Sequence, residues 1–178
     1  MTLYTAGQKV RAAELNTLPQ MYYVASDQVK TNTTFGNVAG LSFSADANTR
    51  YLIECFITYL AAVERDMKLQ WTYPGTPTGS WWAARGIVSG ATADSGSTGD
   101  FNGQSVIYSG THAFAGSSGS GSAPSDPNNG MMCTPTAMFL TDSTPGTIQL
   151  QFAFLSTASG TGNCTIKAGS CMRVTKLA

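Results

Sequence analysis

The strongest pattern in the sequence is a period of two between residues 51 and 60, in which every odd position carries an apolar or aromatic side chain. Period-two alternation is typical of a β-strand, in which successive side chains point to opposite faces of the sheet. Both faces of this strand are largely apolar, so we expect a central strand covered on both sides, as in a β-sandwich whose outer face meets another subunit. One face carries Tyr51, Ile53, Cys55, Ile57 and Tyr59, and the other carries Leu52, Glu54, Phe56, Thr58 and Leu60.

A second alternation runs from Met67 to Tyr73, is apolar on one face only and stops at Pro74-Gly75. With a turn near Glu64-Arg65-Asp66, it predicts a long antiparallel ribbon with the preceding strand. A turn containing Gly160 and Gly162 is expected to let the final strand return antiparallel to the strand before it. The further predicted strands are Trp81–Val88, Ser105–Ser109, Pro135–Thr141, Thr147–Leu155 and Asn163–Lys176, the last of them broken near Ala168-Gly169.

These short strands are joined by segments rich in Gly, Pro, Ser and Asn, and no long helical pattern lies between them. Such an order favours an all-β, antiparallel, jelly-roll-like β-sandwich over a fold of alternating strands and helices. We assign residues 21–178 to this one domain. The stretches Ser89–Gly103 and Ala115–Gly130 are expected to be exposed loops, because they offer too little apolar surface to offset chain entropy.

The first twenty residues differ from the rest and are predicted to form an N-terminal docking arm. A short helix is expected from about Ala12 to Thr17, ended by Pro19. A helix of this length is marginal alone in water, so it must lean on its own domain or on another subunit. The residues available for docking are Tyr4, Val10, Arg11, Ala13 and Leu15.

Charge is scarce in this protein and limits the partners it is built for. Charged residues make up 11% of the chain, against about 25% in typical soluble domains, and Lys+Arg balance Asp+Glu to a formal net charge of zero. A depleted charge content suits a subunit that hides surface in an assembly. We expect no nucleic-acid partner, because no basic stripe is present, and neither a signal peptide nor a membrane span.

The sequence holds few residues from which a catalytic or metal site is made. His112 is the single histidine, and neither a nucleotide-binding motif nor a calcium-loop motif is present. The carboxylates Glu54, Glu64 and Asp66 are expected to be exposed or paired with Arg65, Arg50 or Lys68 rather than to cleave glycosides. We therefore expect a non-enzymatic protein with no catalytic residue, cofactor or metal. Buried thiols are favoured over a disulfide or metal site for Cys55, Cys133, Cys164 and Cys171.

One aromatic cluster remains as a candidate for binding: Trp71, Tyr73, Trp81 and Trp82. Exposed aromatic rings stack on sugars or anchor protein partners, so these residues are predicted to form a subunit interface or a ligand platform. Core packing is the competing interpretation. Because Trp81 and Trp82 are adjacent in a predicted strand, they must point to opposite faces, and at most one of them belongs to the core.

The segment Leu3–Asn16, with Tyr4-Thr5-Ala6-Gly7 and Ala13-Glu14-Leu15-Asn16, resembles the opening of many small virion proteins of tailed bacteriophages. Leu41-Ser42-Phe43, Ala47–Tyr51 and Arg173-Val174 are similar to parts of the β-sandwich that follows in those proteins. The resemblance implies a non-enzymatic homotrimer on the virion surface, assembled in the bacterial cytoplasm, that serves as a capsid decoration protein or a minor tail protein. Its partners would be itself and the major capsid or tail proteins. The alternative is a carbohydrate-binding module of a phage fibre that recognises host surface glycans.

Overall fold

The computed structural model describes residues 18–61, 67–86, 106–107, 112–114, 131–154 and 163–177. Within these ranges every regular element is a β-strand, which confirms the all-β prediction. The predicted arm helix, the turn at residues 64–66 and the two Gly/Ser-rich loops lie outside the described residues. The strands are β1 (Gln20–Tyr23), β2 (Gln28–Lys30), β3 (Gly36–Ala45), β4 (Arg50–Ala61), β5 (Met67–Thr72), β6 (Thr78–Gly86), β7 (Val106–Ile107), β8 (His112–Phe114), β9 (Met131–Leu140), β10 (Gly146–Phe154), β11 (Cys164–Ile166) and β12 (Cys171–Lys176).

The strands form two antiparallel sheets. The large sheet has the order β1-β12-β4-β9-β6-β7, with β11 bonded to both β4 and β2, and the small sheet has the order β3-β10-β5-β8. The pairs are fully nested along the chain: β1 with β12, β2 with β11, β3 with β10, β4 with β9, β5 with β8 and β6 with β7. A long folded hairpin of this kind, split alternately between two sheets, is a jelly roll.

The core lies between the two sheets and is filled by the inward face of each strand. In β4 the buried residues alternate strictly with partly exposed ones, and β5 shows the same alternation. Trp71 meets Phe139 edge to face with ring centroids 6.1 Å apart, and Trp81 with centroids 6.5 Å apart. The largest fully buried side chains are Trp81, Tyr59, Phe139, Phe152, Phe154, Leu41, Ile53, Ile57, Met67, Leu69, Ile148 and Leu150.

Two predicted pairings are wrong, although the strands themselves are found. β4 and β5 were expected to form one ribbon, but β4 lies in the large sheet and β5 in the small one. The final strand was expected to return beside β10, yet β11 pairs with β2 and β4. In both cases the chain crosses from one sheet to the other, because each strand must place its apolar face on the shared core. The predicted break near Ala168-Gly169 is confirmed, since Gly169 has a φ of 86° between β11 and β12.

The exposed edge of β3 is capped by a side chain from β2. The amide of Gln28 donates to the carbonyl oxygen of Ala39 (2.8 Å) and accepts from its backbone N–H (2.8 Å). This pair of bonds imitates a neighbouring strand at one position of the edge. An occupied edge position is a poorer template for another chain to pair with.

Candidate functional site

The two outer faces of the sandwich differ sharply in polarity, and the small sheet carries the polar one. Three amide side chains form a hydrogen-bonded row across it, because Gln70 Nε2 donates to Gln151 Oε1 (2.8 Å) and Gln151 Nε2 to Asn37 Oδ1 (2.7 Å). Lys68 Nζ lies 4.7 Å from the ring centroid of Phe35 at the side of this row. A face made of Gln, Asn, Thr, Ser and Lys is suited to contact with water.

The outer face of the large sheet is apolar. Phe56 on β4 is 55% exposed, Met138 on β9 is 49% exposed and Trp82 on β6 is 42% exposed, although all three are large side chains. Half-buried Leu52 and Leu60 lie on the same side of β4. We call the outward set the large-sheet face; its exposed apolar members are Met21, Tyr23, Val29, Phe56, Trp82, Met132, Met138 and Leu140.

Strand register arranges this face in straight rows across neighbouring strands. One row runs through five strands as Met21, Arg173, Glu54, Thr136 and Trp82, each residue directly opposite the next. The cross-strand partners in a row are near enough for their side chains to touch. The rows therefore bring the outward side chains into one surface, and in this row apolar Met21 and Trp82 flank a polar centre.

The neighbouring rows also carry apolar side chains. Tyr23 lies opposite Cys171, which in turn lies opposite Phe56. On the other side of the central row, Leu52 of β4 lies opposite Met138 of β9. The apolar surface thus extends along the strands on both sides of the row that contains Glu54.

An ion pair sits in the central row. Arg173 donates from Nε (2.9 Å) and Nη2 (2.5 Å) to Oε2 of Glu54. The sequence predicts that Glu54 is exposed or paired with Arg50, Arg65 or Lys68. The structure pairs it with Arg173, because β12 rather than β5 lies beside β4. The pair cancels its own charge within the face.

Of the four aromatic residues predicted as an interface or platform, only Trp82 lies mainly at the surface. Trp71 and Trp81 are buried in the core, and half-buried Tyr73 packs edge to face on Phe139 with centroids 4.7 Å apart. The prediction that Trp81 and Trp82 point to opposite faces is confirmed, but a four-residue aromatic platform is not formed, because β5 turns its aromatic side chains inward. The predicted docking residues Tyr4, Val10, Arg11, Ala13 and Leu15 lie outside the described residues.

Sequence analysis missed Met132, Met138 and Leu140 as surface residues. The signal was present in β9, where outward Met132 and Met138 alternate with smaller inward residues such as Cys133 and Ala137. Large apolar residues that alternate with small buried ones indicate a strand with an apolar outer side. The predicted strand begins only at Pro135, so it leaves out Met132 and Cys133, where the alternation of large outward and small inward residues starts.

A cavity of about 270 Å³ opens at the end of the sandwich, beside the point where residue 18 enters the fold. The hydroxyl of Tyr51 accepts the backbone N–H of Asp46 (2.9 Å), and Lys176 Nζ donates to Asp46 Oδ2 (2.8 Å). This lysine lowers the pKa of Asp46 by hydrogen bonding and by its charge. The cavity is lined by Leu18, Gln20, Phe43, Ser44, Asp46, Tyr51, Val174 and Lys176.

The cysteines are free, and three of them are buried, as predicted. Burial raises the pKa of Cys55 and Cys133, and it raises the pKa of Cys164 to about 12. Thiols of this kind are held in the protonated, unreactive form at neutral pH. In the part of the chain that the structure describes, no group of three or more His, Cys, Asp or Glu residues is arranged to hold a metal. The same residues contain no helix long and apolar enough to cross a membrane.

No family model matches the sequence, and no curated protein matches it significantly. Among solved structures, one neighbour is the native virion of Kashmir bee virus at acidic pH, with a TM-score of 0.23 and 9% identity over 99% of this chain and 84% of that chain. Another is infectious bursal disease virus Gx strain, with a TM-score of 0.19 and 12% identity over 89% of this chain and 41% of that chain. Superpositions this loose carry no argument about function, and the jelly roll is assigned from strand order alone.

Proposed function

We propose that this chain is a non-enzymatic structural protein of a tailed-phage virion, a homotrimeric surface module attached to the particle. The observation that carries the proposal is the contrast between the polar outer face of the small sheet and the apolar large-sheet face. A sandwich with one polar, solvent-facing side and one apolar side is suited to be a layer of a larger assembly. The resemblance of residues 3–16 to the opening of tailed-phage virion proteins supplies the kind of assembly.

The fold alone does not choose this function. Jelly rolls serve as viral capsid proteins, as lectins and as cupins, so the topology is compatible with several roles. Buried thiols and the largely apolar large-sheet face favour assembly over chemistry. Capsid decoration and minor tail attachment both fit, and counting copies on the intact particle by cryo-electron microscopy separates them: hundreds of copies select decoration, and a handful select the tail.

Attachment to the virion is assigned to the N-terminal arm, with Val10 and Leu15 as its apolar contacts. We expect the full chain with Val10→Asp and Leu15→Asp to stay folded and to lose attachment to virions that lack this protein, as measured by co-sedimentation. A chain with Ser118→Asp, which adds charge in a Gly/Ser-rich segment, is the control and should attach normally. Unchanged occupancy of the double variant would show that the arm is not the anchor.

A second function is favoured by one specific observation, the exposed indole of Trp82. An exposed tryptophan is the ring that carbohydrate-binding proteins stack on sugars, so the chain would act as a receptor-recognition module for host glycans. Glycan-array binding that disappears in Trp82→Ala, while the oligomer stays intact, would select this alternative. Loss of the oligomer in the same variant would instead support a structural role for the ring.

A further inference from the structure

The large-sheet face is broad and flat enough for a protein interface. Its central row crosses five strands, which at about 4.8 Å per strand spacing gives a width of about 19 Å. From Met132 to Leu140 along β9 the face extends about 27 Å at about 3.4 Å per residue. The projected footprint is on the order of 500 Å², and the accessible area of its uneven surface is larger.

The apolar content of the face is what a stable interface requires. The exposed parts of Phe56, Trp82, Met132, Met138 and Leu140 together amount to roughly 450 Å², close to the largest apolar patch that a typical monomer leaves in water. A standard interface buries about 800 Å² on each partner. With exposed Met21 and Tyr23 of β1 and the half-buried leucines and threonines of β4 and β9 added, the face reaches about that size.

The charge of the face is compatible with a second copy of the chain as its occupant. Glu54 and Arg173 neutralise each other, so the central row offers no net charge to attract an acidic or a basic partner. The chain itself has a formal net charge of zero, and two copies therefore do not repel each other on approach. Arg50, exposed opposite Leu140, adds one positive charge at the end of the face. A largely apolar surface of this size is complementary to another surface of the same kind.

We infer that the large-sheet face is the surface through which copies of this chain associate, with Phe56, Met138 and Trp82 buried against a second copy. This inference rests on the proposed function and assigns the subunit contact within it. In a trimer the contact is heterologous, so the β1–β12 side of one face meets the β9–β6 side of the next copy and three such contacts close a ring. Methionines at such a contact adapt their shape to the partner.

The test compares matched glutamate substitutions in the full chain, measured by sedimentation equilibrium at micromolar concentration. We expect Phe56→Glu and Met138→Glu to sediment as folded monomers, because each places a charge in a surface that excludes water. Thr147→Glu, at an exposed position on the outer face of the small sheet, is the control and should keep the oligomer of the unmodified chain. Melting curves confirm that each variant is folded.

A second readout is local to the face. Cys171 lies between Tyr23 and Phe56 in their row, so a maleimide should label it at least tenfold more slowly in the oligomer than in the Met138→Glu monomer. This comparison does not depend on whether one particular variant is less stable than another. Equal labelling rates in the two states would overturn the inference.

The outcomes separate this inference from the proposed function. A dimer that Phe56→Glu and Met138→Glu dissociate supports the contact and overturns the trimer. An oligomer that both variants leave intact overturns the contact, whether or not the protein binds virions. An unmodified chain that is monomeric, and that loses virion attachment through Met138→Glu, assigns the face to another virion protein and overturns the inference while the proposed function stands.

Discussion

Glu54 and Arg173 are 119 residues apart in sequence and lie directly opposite each other on β4 and β12, joined by two hydrogen bonds to a single carboxylate oxygen. Opposite charges at directly paired positions help to fix the register of two strands. Both side chains are partly exposed, so in the isolated chain the pair is worth under about 1 kcal/mol. The pair is expected to affect stability more strongly when the large-sheet face is buried by association of two copies.

Reversing one charge of this pair should prevent association of the subunits. Glu54→Arg sets two guanidinium groups opposite each other in the face, and an unpaired charge that must be buried is destabilising by about 3–5 kcal/mol. We expect monomers by sedimentation, with little change in the melting temperature of the isolated chain. The control is the double variant Glu54→Arg with Arg173→Glu, which rebuilds the pair in the opposite sense and should restore the oligomer.

Truncation of Phe152 should remove a large part of the stability of the sandwich. Phe152 on β10 is fully buried, and Phe152→Ala should lower the free energy of unfolding by about 3–5 kcal/mol through lost burial and a residual cavity. Gln151→Ala, at the next position but on the outer face, should change it by under about 1 kcal/mol. Shortening Ala115–Gly130 should likewise have a small effect, since loop-closure entropy varies slowly with length. Urea midpoints of the three variants decide the order, and a loop deletion more damaging than Phe152→Ala would contradict it.

Alternation is a local signal, so the sequence predicts the strands with a clear period of two, whereas β1, β2, β3 and β8 are not predicted. Tyr51 to Leu60 and Thr147 to Leu155 are found as β4 and β10 almost to the residue, and the break between β11 and β12 lies at Gly169. Alternation says which side of a strand is buried. The burial of Trp71 follows from it, since Trp71 continues the apolar face of Met67 and Leu69.

Pairing was not predictable in the same way, because it depends on residues far apart in the chain. A strand followed by a turn suggests a hairpin, yet β4 and β5 face each other across the core from different sheets. A partner of Glu54 is therefore expected nearby in sequence, whereas its actual partner, Arg173, lies on β12. The apolar outer side of β9 is also hard to predict: the sequence pattern indicates a strand from Pro135, whereas β9 begins at Met131 and includes outward Met132.

Asp142 should make stability depend on pH. Its carboxylate accepts the backbone N–H groups of Thr76 (2.6 Å) and Thr144 (2.7 Å) and so ties two loops together. These bonds lower the pKa of Asp142, so the folded state binds a proton less readily than the unfolded state. The resulting stabilisation is fully present above the unfolded pKa of about 3.9 and is lost as pH falls through the lower folded pKa.

We therefore expect Asp142→Ala to unfold at a lower urea concentration than the unmodified chain at pH 7. The gap between the two midpoints should narrow as the pH falls below the unfolded pKa of about 3.9 and through the lower folded pKa. Ser143→Ala, at an exposed position of the same loop, is the control, because it keeps the carboxylate and its donors and should retain the pH dependence. A gap that is constant from pH 7 to pH 2 would show that the hydrogen bonds of the carboxylate do not contribute.

The cysteines should differ in reactivity in a defined order. In the Met138→Glu monomer we expect Cys171, which is half-buried, to react first with a maleimide at pH 8. Cys55, Cys133 and Cys164 should react only as fast as the protein unfolds, because burial raises the pKa of each of their thiols. Peptide mapping by mass spectrometry identifies the labelled positions, and rapid labelling of Cys133 in the folded chain would contradict the burial shown for it.

Nested pairing also determines when the protein is able to fold during synthesis. Gln20 of β1 pairs with Val174 of β12, which a ribosome adds about 150 residues later. At roughly 5–20 residues per second, this pairing is delayed by about 10–30 s. Until then β4 has β9 on one side and nothing on the other, with its apolar residues uncovered. A nascent chain that stops before Cys164 lacks both β11 and β12, so the large sheet stays incomplete until the segment Cys164–Lys176 has been made.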